Sequence, residues 1–138
     1  MPVARDLMTP EPACVKEGQT LAEAARMMRD LDVGALPICG NDDRLKGMLT
    51  DRDIVVKCIA EGGDPKTVTA GELAEGKPVT IGADDDLREA LRLMQEHQIR
   101  RLPVIDGHRL VGIIAQADVA LALPSEATAE TVEEISQP

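Results

Sequence analysis

The chain matches itself. Displaced by 66 residues, Leu7 meets Leu73, Pro12 meets Pro78, Leu21 meets Leu87, Glu23 meets Glu89, Ala24 meets Ala90, Arg26 meets Arg92, Met28 meets Met94 and Pro37 meets Pro103. After one residue is lost in a turn the displacement becomes 65, pairing Arg44 with Arg109, Leu45 with Leu110, Gly47 with Gly112 and Asp53 with Asp118. Matches in one order through both halves mark an internal duplication, which restricts the chain to two units of the same topology. At 138 residues in all, each unit has roughly 60, a size at which a lone core is marginal.

Each half reads as β-α-β-β-α. In the first, Ala13 to Val15 is a short apolar strand, and Thr20-Leu21-Ala22-Glu23 has the form of a capping box. The helix that follows places Leu21, Ala24, Ala25, Met28 and Leu31 on one face and ends at Val33-Gly34. Ala35 to Cys39 and Leu45 to Leu49 flank a polar turn, and a second helix starts after Thr50 and stops at Gly62-Gly63. In the second half, Val79 to Ile81 is a strand, and Asp86-Leu87-Arg88-Glu89 opens a helix with Leu87, Ala90, Leu91 and Met94 inward. Arg101 to Ile105 and Leu110 to Ile114 flank Asp106-Gly107, a dipeptide suited to a tight hairpin turn, and a last short helix runs towards Pro124. The expected division is residues 1–62 for the first repeat, 63–68 for a linker, 69–124 for the second repeat and 125–138 for a tail. Thr69-Ala70-Gly71-Glu72 reads as the cap of a short helix entering the second repeat. The expected fold class is α/β (α+β), two repeats packed through their sheets as a pseudo-twofold module with clefts between them.

Composition excludes several functions. The net charge is −10 and the sequence pI about 4.6, which opposes nucleic acid as a partner because phosphate binding needs a basic footprint. Phe, Trp and Tyr are absent, so no ring can stack single-stranded bases. No apolar run approaches the ~20 residues of a membrane span, and the N-terminus lacks the layout of a signal peptide. A soluble cytoplasmic protein is expected. No hydrolase elbow, dinucleotide fingerprint or nucleophile–base dyad stands at a known spacing, so no enzyme is expected. Gly71 to Pro78 nearly spells a phosphate-binding loop, but Pro78 occupies the place of the required hydroxyl and the match reads as coincidence.

Of the three cysteines, Cys14 ends up beside Cys39 if the first two strands are neighbours, as in a β-α-β unit. Reduced, packed thiols are the default without export; a disulfide or a shared metal is geometrically open to this pair. Cys58 reads as packing. His97, at a helix end, reads as a dipole partner rather than a ligand.

The run Gly34-Ala35-Leu36-Pro37-Ile38 and the string Gly47-Met48-Leu49-Thr50-Asp51-Arg52-Asp53 resemble the CBS domain family, as do Arg100 to Asp106 and Gly112 to Asp118 in the second half. The resemblance covers Val3 to Ala120, and is similar in extent to short stand-alone pairs of these domains, called Bateman modules. It implies a regulatory module for adenosine-containing ligands, namely AMP, ADP, ATP or S-adenosylmethionine, held between the repeats with no cofactor required. The family motif runs Gly, two apolar residues, Thr or Ser, two variable residues and Asp. Thr50 and Asp53 match it; Asp118 matches, but Ala115 replaces the hydroxyl. The resemblance thus assigns Asp53 to ribose and Thr50 to phosphate, a division that suits a carboxylate acceptor and a hydroxyl donor. Arg100 and Arg101 stand where basic residues reach phosphate. Each reading has a plainer rival: Thr50 and Asp53 make a good helix cap, and the arginines could balance Glu89 and Glu96. The resemblance further implies a homodimer through helices containing Ile54-Val55-Val56 and Val119 to Leu123, and an unidentified downstream protein. The alternative is a ligand-free interaction or structural protein, responsive to redox state or metal through Cys14 and Cys39.

Overall fold

The computed structural model describes residues 2–74 and 76–122; the tail from 125 and the end of the last helix lie outside these. The fold is α+β, with two sheets, each carrying a β-α-β-β-α repeat. The first repeat comprises β2 (Val15–Lys16), α2 (Leu21–Leu31), β3 (Ala35–Cys39), β4 (Leu45–Thr50) and a helix that opens as one α turn, α3 (Asp51–Asp53). That turn continues as a π-helix over Ile54–Ile59. The second comprises β5 (Ile81–Gly82), α4 (Leu87–His97), β6 (Arg101–Asp106), β7 (Arg109–Ala115) and α5 (Gln116–Ala122). Two elements have no counterpart in the expected outline: a leading turn of helix, α1 (Ala4–Leu7), and the strand β1 (Thr9–Pro10).

The sheets repeat each other in register. β2 runs parallel to β3, which is antiparallel to β4, and the same holds for β5, β6 and β7. The register slips between Ile38 and Cys39 and, equivalently, between Val104 and Ile105. Proline in a middle strand normally removes a ladder bond. Here β2 pairs only with Ile38 and Cys39, and β5 only with Val104 and Ile105. Pro37 and Pro103 therefore lie beyond the parallel ladder, where no donor is missed. Gly107, at φ 65°, takes the first central position of a two-residue hairpin closed by Asp106 and Arg109.

Helix α2 starts as its sequence demands: the Glu23 amide donates to Thr20 Oγ1 at 3.2 Å. The return half of the box is absent, because the Glu23 carboxylate instead accepts from Gln19 Nε2 at 3.1 Å. The inward face is narrower than expected. Leu21, Ala24 and Met28 are buried, whereas Ala25 and Leu31 face solvent, and Asp32 in the left-handed conformation ends the helix one residue before Val33. In α4, Leu87, Ala90 and Met94 are fully buried and Leu91 packs partly against them.

The compact units do not coincide with the sequence repeats. One consists of Ala13–Pro78; the other joins Met1–Pro12 to the chain from Val79 onward. The 3-10 helix Ala70–Leu73, expected to enter the second unit, instead contributes Ala70 to the first core. Reciprocally, α1 contributes Ala4 to the second core. The two attachments are built alike. The Ala70 amide donates to Gln19 O at 2.8 Å and that of Gly71 to Glu17 O at 2.9 Å. In the other unit the Ala4 amide donates to Asp85 O at 2.9 Å and that of Arg5 to Ala83 O at 2.8 Å. Each turn is capped by an acid three residues on: the Thr69 amide donates to Glu72 Oε2 at 2.6 Å, and the Val3 amide to Asp6 Oδ2 at 2.9 Å. The bonds from Thr69 hold the Glu72 carboxyl below the usual carboxylate range. Arg5 adds ion pairs to Asp84 and Asp106.

The motif glycines are where these turns dock. A Cβ on Gly47 would stand 3.2 Å from Ala74 Cβ, and one on Gly112 would overlap the Met8 side chain. Gly112→Val should therefore lower stability by about 1–3 kcal/mol through overpacking and displace the leading segment, because Pro10 pairs with Gly112 itself. Thermal unfolding with limited proteolysis of the N-terminus checks this; a variant with unchanged midpoint and protection would show that the close approach is dispensable.

Candidate functional site

At the first strand end, β3 and β4 bring Ala35 opposite Thr50, and the Asp51 amide donates to Gly34 O at 3.0 Å. Thr50 and Asp53 form the reciprocal cap that the sequence allows. The Asp53 amide donates to Thr50 Oγ1 at 3.0 Å and the Thr50 amide to Asp53 Oδ2 at 2.9 Å. The second carboxylate oxygen, Oδ1, lies 3.4 Å from Lys57 Nζ. Both oxygens of Asp53 are thus engaged. Asp51 faces solvent and accepts from the Arg52 amide at 2.8 Å.

The second strand end has the same frame and different groups. Arg101 pairs with Ala115 across the ladder, and the Gln116 amide donates to Arg100 O at 2.7 Å. Asp118 Oδ2 accepts from the Ala115 amide at 2.9 Å. This is half of the cap seen at Asp53, since Ala115 has no hydroxyl to return. Among the described residues, Asp118 Oδ1 has no partner. The structure brings Arg100, Arg101 and Asp118 together in one unit, and Thr50 with Asp53 in the other.

Direct pairing of these arginines with Glu89 and Glu96 is not what the structure shows. Glu89 and Glu96 are both bound by Arg92, at 2.6 and 2.5 Å, on the outer face of α4. Hydrogen bonding by Arg92 also holds the Glu89 carboxyl below the usual range. Among the described residues, Arg100 and Arg101 have no ion-pair partner, and both are exposed. Arginines left open beside a carboxylate suit a bidentate anion such as phosphate.

Two residues of these sites escaped the sequence reading. Lys57 lies four residues after Asp53, a spacing at which opposite charges meet on a helix. Gln116 occupies a variable position of the motif and gave no signal alone; set against its repeat counterpart Asp51, it exchanges a carboxylate for an amide. Its Nε2 is buried and has no hydrogen-bond partner among the described residues.

Cys14 and Cys39 are joined in a disulfide, with their Cα atoms 5.9 Å apart, inside the range such bonds require. This corrects the expectation of reduced thiols, and follows from the parallel pairing of β2 with β3, which registers Cys39 opposite Lys16. Cys58 is free and buried. Among the described residues, no three of His, Cys, Asp and Glu stand close enough to hold a metal ion, and the bonded sulfurs of Cys14 and Cys39 are not thiolates, the form that ligates. The near phosphate loop is no loop, for Gly71 to Leu73 are helical. No helix among the described residues is long and apolar enough to cross a membrane.

Known proteins share this frame. The sequence pattern described as the CBS domain matches residues 4–59 and again 70–125. The chain is 54% identical over 138 residues to Hypoxic response protein 1 of Mycobacterium tuberculosis, covering all of this chain and 96% of that one. The crystal structure of Hypoxic Response Protein I with two coordinated zinc ions superposes with a TM-score of 0.84 at 56% identity, covering 89% of this chain and 100% of that chain. The structure of CBSX2 in complex with AMP superposes with a TM-score of 0.75 at 26% identity, covering 95% and 98%. With the motif present twice, each time at a strand end that leads into a helix, the chain belongs to the CBS domain family and carries two of its domains in tandem.

Proposed function

We propose that this CBS pair is a non-enzymatic regulatory protein that binds an adenosine-containing ligand, AMP, ADP, ATP or S-adenosylmethionine, at its strand ends. Asp53 and Asp118 would accept from ribose hydroxyls, Thr50 would donate to phosphate, and Arg100 and Arg101 would neutralise phosphate. The observation that carries the reading is that the strand end of the second repeat holds a half-engaged carboxylate and two arginines without partners among the described residues, on the frame that in CBSX2 accompanies AMP. No Phe, Trp or Tyr is available to hold adenine, so aliphatic side chains would flank it.

We also propose that it acts as a homodimer in the cytoplasm, passing its output to a separate protein. On the π-helix, Val55, Val56 and Ile59 are 56%, 42% and 55% exposed, an apolar face of the kind that marks an interaction site. Ile54 and Val119, expected in that interface, are instead buried in the two cores.

Dye-reported thermal unfolding tests the ligand reading. A ligand at ~100 times Kd adds about 2.7 kcal/mol, a midpoint rise on the order of 10 °C for this length. No rise with any of the four ligands at millimolar concentration would sink it. One observation, the Cys14–Cys39 bond, favours a second reading: a ligand-free interaction protein responding to redox state. That reading expects no nucleotide effect and a change of oligomeric state on reduction.

A further inference from the structure

We infer that the two strand ends are not equivalent, and that the chain takes one phosphate-bearing ligand, at the second repeat, with the side-chain amide of Gln116 as a donor to it. The inference rests on the nucleotide reading above and narrows it.

The argument begins with what each site has left to offer. At the first, Asp53 is bound through one oxygen by the Thr50 amide and through the other by Lys57. The Thr50 hydroxyl oxygen is already an acceptor for Asp53. Two carboxylates, Asp51 and Asp53, face two cations, Arg52 and Lys57. An incoming phosphate would meet carboxylates and would have to break the Asp53–Lys57 pair.

At the second site the acid of the motif is kept as Asp118, the cations Arg52 and Lys57 give way to Ala117 and Ala122, and three other positions change towards positive charge. Gly34 and Ala35 give way to Arg100 and Arg101, and Asp51 gives way to Gln116. The second site thus carries one carboxylate, Asp118, and two guanidinium groups, and among the described residues neither guanidinium is paired. The Gln116 amide donates to Arg100 O at 2.7 Å, so its side chain starts from a backbone bonded to that of Arg100.

The Gln116 Nε2 then has a specific meaning. Buried polar atoms without partners are rare, because each forfeits its hydration with nothing in return; this is the side-chain atom in that state among the described residues. An acceptor brought by a ligand would satisfy it, and an oxygen of a phosphate drawn in by Arg100 and Arg101 is such an acceptor. Aspartate at the same position, as in the first repeat, would repel it.

Titration calorimetry of the intact, oxidised chain with AMP, ADP and ATP, and with S-adenosylmethionine for comparison, tests the inference. Wild type should take up one equivalent per chain. Gln116→Met should bind about tenfold more weakly, the effect of leaving one acceptor unmatched, while its unfolding midpoint without nucleotide stays level or rises, since an unpaired buried donor has gone. Arg101→Ala, at an exposed position, should lose affinity without loss of fold. Asp51→Asn, at an exposed position of the first repeat, should bind as wild type. Two equivalents per chain, or full affinity kept in Gln116→Met, would overturn the assignment and leave the nucleotide reading standing. A wild-type chain that takes up none of AMP, ADP, ATP and S-adenosylmethionine removes both, and one that takes up S-adenosylmethionine alone removes only the assignment.

Discussion

Leu102→Ala is expected to lower the unfolding free energy by about 3 kcal/mol and the melting midpoint by roughly 10 °C. Leu102 is fully buried on β6, in a cluster with Met94, Val104, Ile114 and Val119. Truncation removes three carbons' worth of apolar contact and leaves a cavity, and the second term depends on how far the neighbours can slump. Few can. The cluster is made of short branched chains held on a paired sheet and of alanines such as Ala83 and Ala90, and the chain has no aromatic ring to swing into the gap. Met94 in the cluster and Met8 packed against it are flexible fillers, which is why the expected loss lies in the middle of the range for such truncations and not at its upper end. Chemical denaturation checks the value. A loss under about 1 kcal/mol would mean that these methionines repack.

Removing the Cys14–Cys39 bond should act as strongly. It joins residues 25 apart in sequence, and closing a loop of that size in the unfolded chain corresponds to about 3 kcal/mol in the chain-entropy treatment. Cys14→Ser with Cys39→Ser, or reduction of the native chain, should therefore bring the midpoint down by about 10 °C. The bond spans the parallel junction of β2 and β3, where the ladder is only two residues long. The loss should be felt locally as faster amide exchange at Val15 and Lys16. Thiol counting under denaturant should give one free thiol, Cys58, before reduction and three after. An unchanged midpoint after verified reduction would show that burial of Val15 and the backbone bonds of Glu17 to Cys39 and Gly71 hold β2 without the disulfide.

Much of this was legible in the residues because duplication supplied each inference twice. The strand Ala35–Cys39 was placed at its observed bounds, and helix α4 with its buried face, since alternation and 3.6-residue spacing speak directly for local structure. What escaped depends on segments far apart in sequence. Nothing near Thr9 and Pro10 says strand; they pair because Ile113 and Gly112 offer an edge about a hundred residues later. Gly47 and Gly112 read as motif positions, and their steric reason appeared only with Ala74 and Met8 above them. At the site, the cap of Thr50 and Asp53 was written in their spacing. The vacancy of Arg100 and Arg101 was not, because it turned on Arg92 claiming both Glu89 and Glu96. A three-way competition among charges on one helix is invisible to pairwise reading.

The exchange of leading turns has a consequence for how the protein is made. Residues 13–78 hold every segment of one compact unit, so that unit can close while the rest of the chain is still being synthesised. The first twelve residues cannot join it. Met8 has no seat until Gly112 has left the ribosome, a delay of about 5–20 s at ordinary elongation rates. The earliest residues are therefore the last to fold. During that interval the N-terminus is an open strand and an uncovered turn, available to a neighbouring nascent chain whose second repeat is already complete. Such a trade would yield dimers interlocked by their first twelve residues, formed in proportion to the crowding of ribosomes on the message.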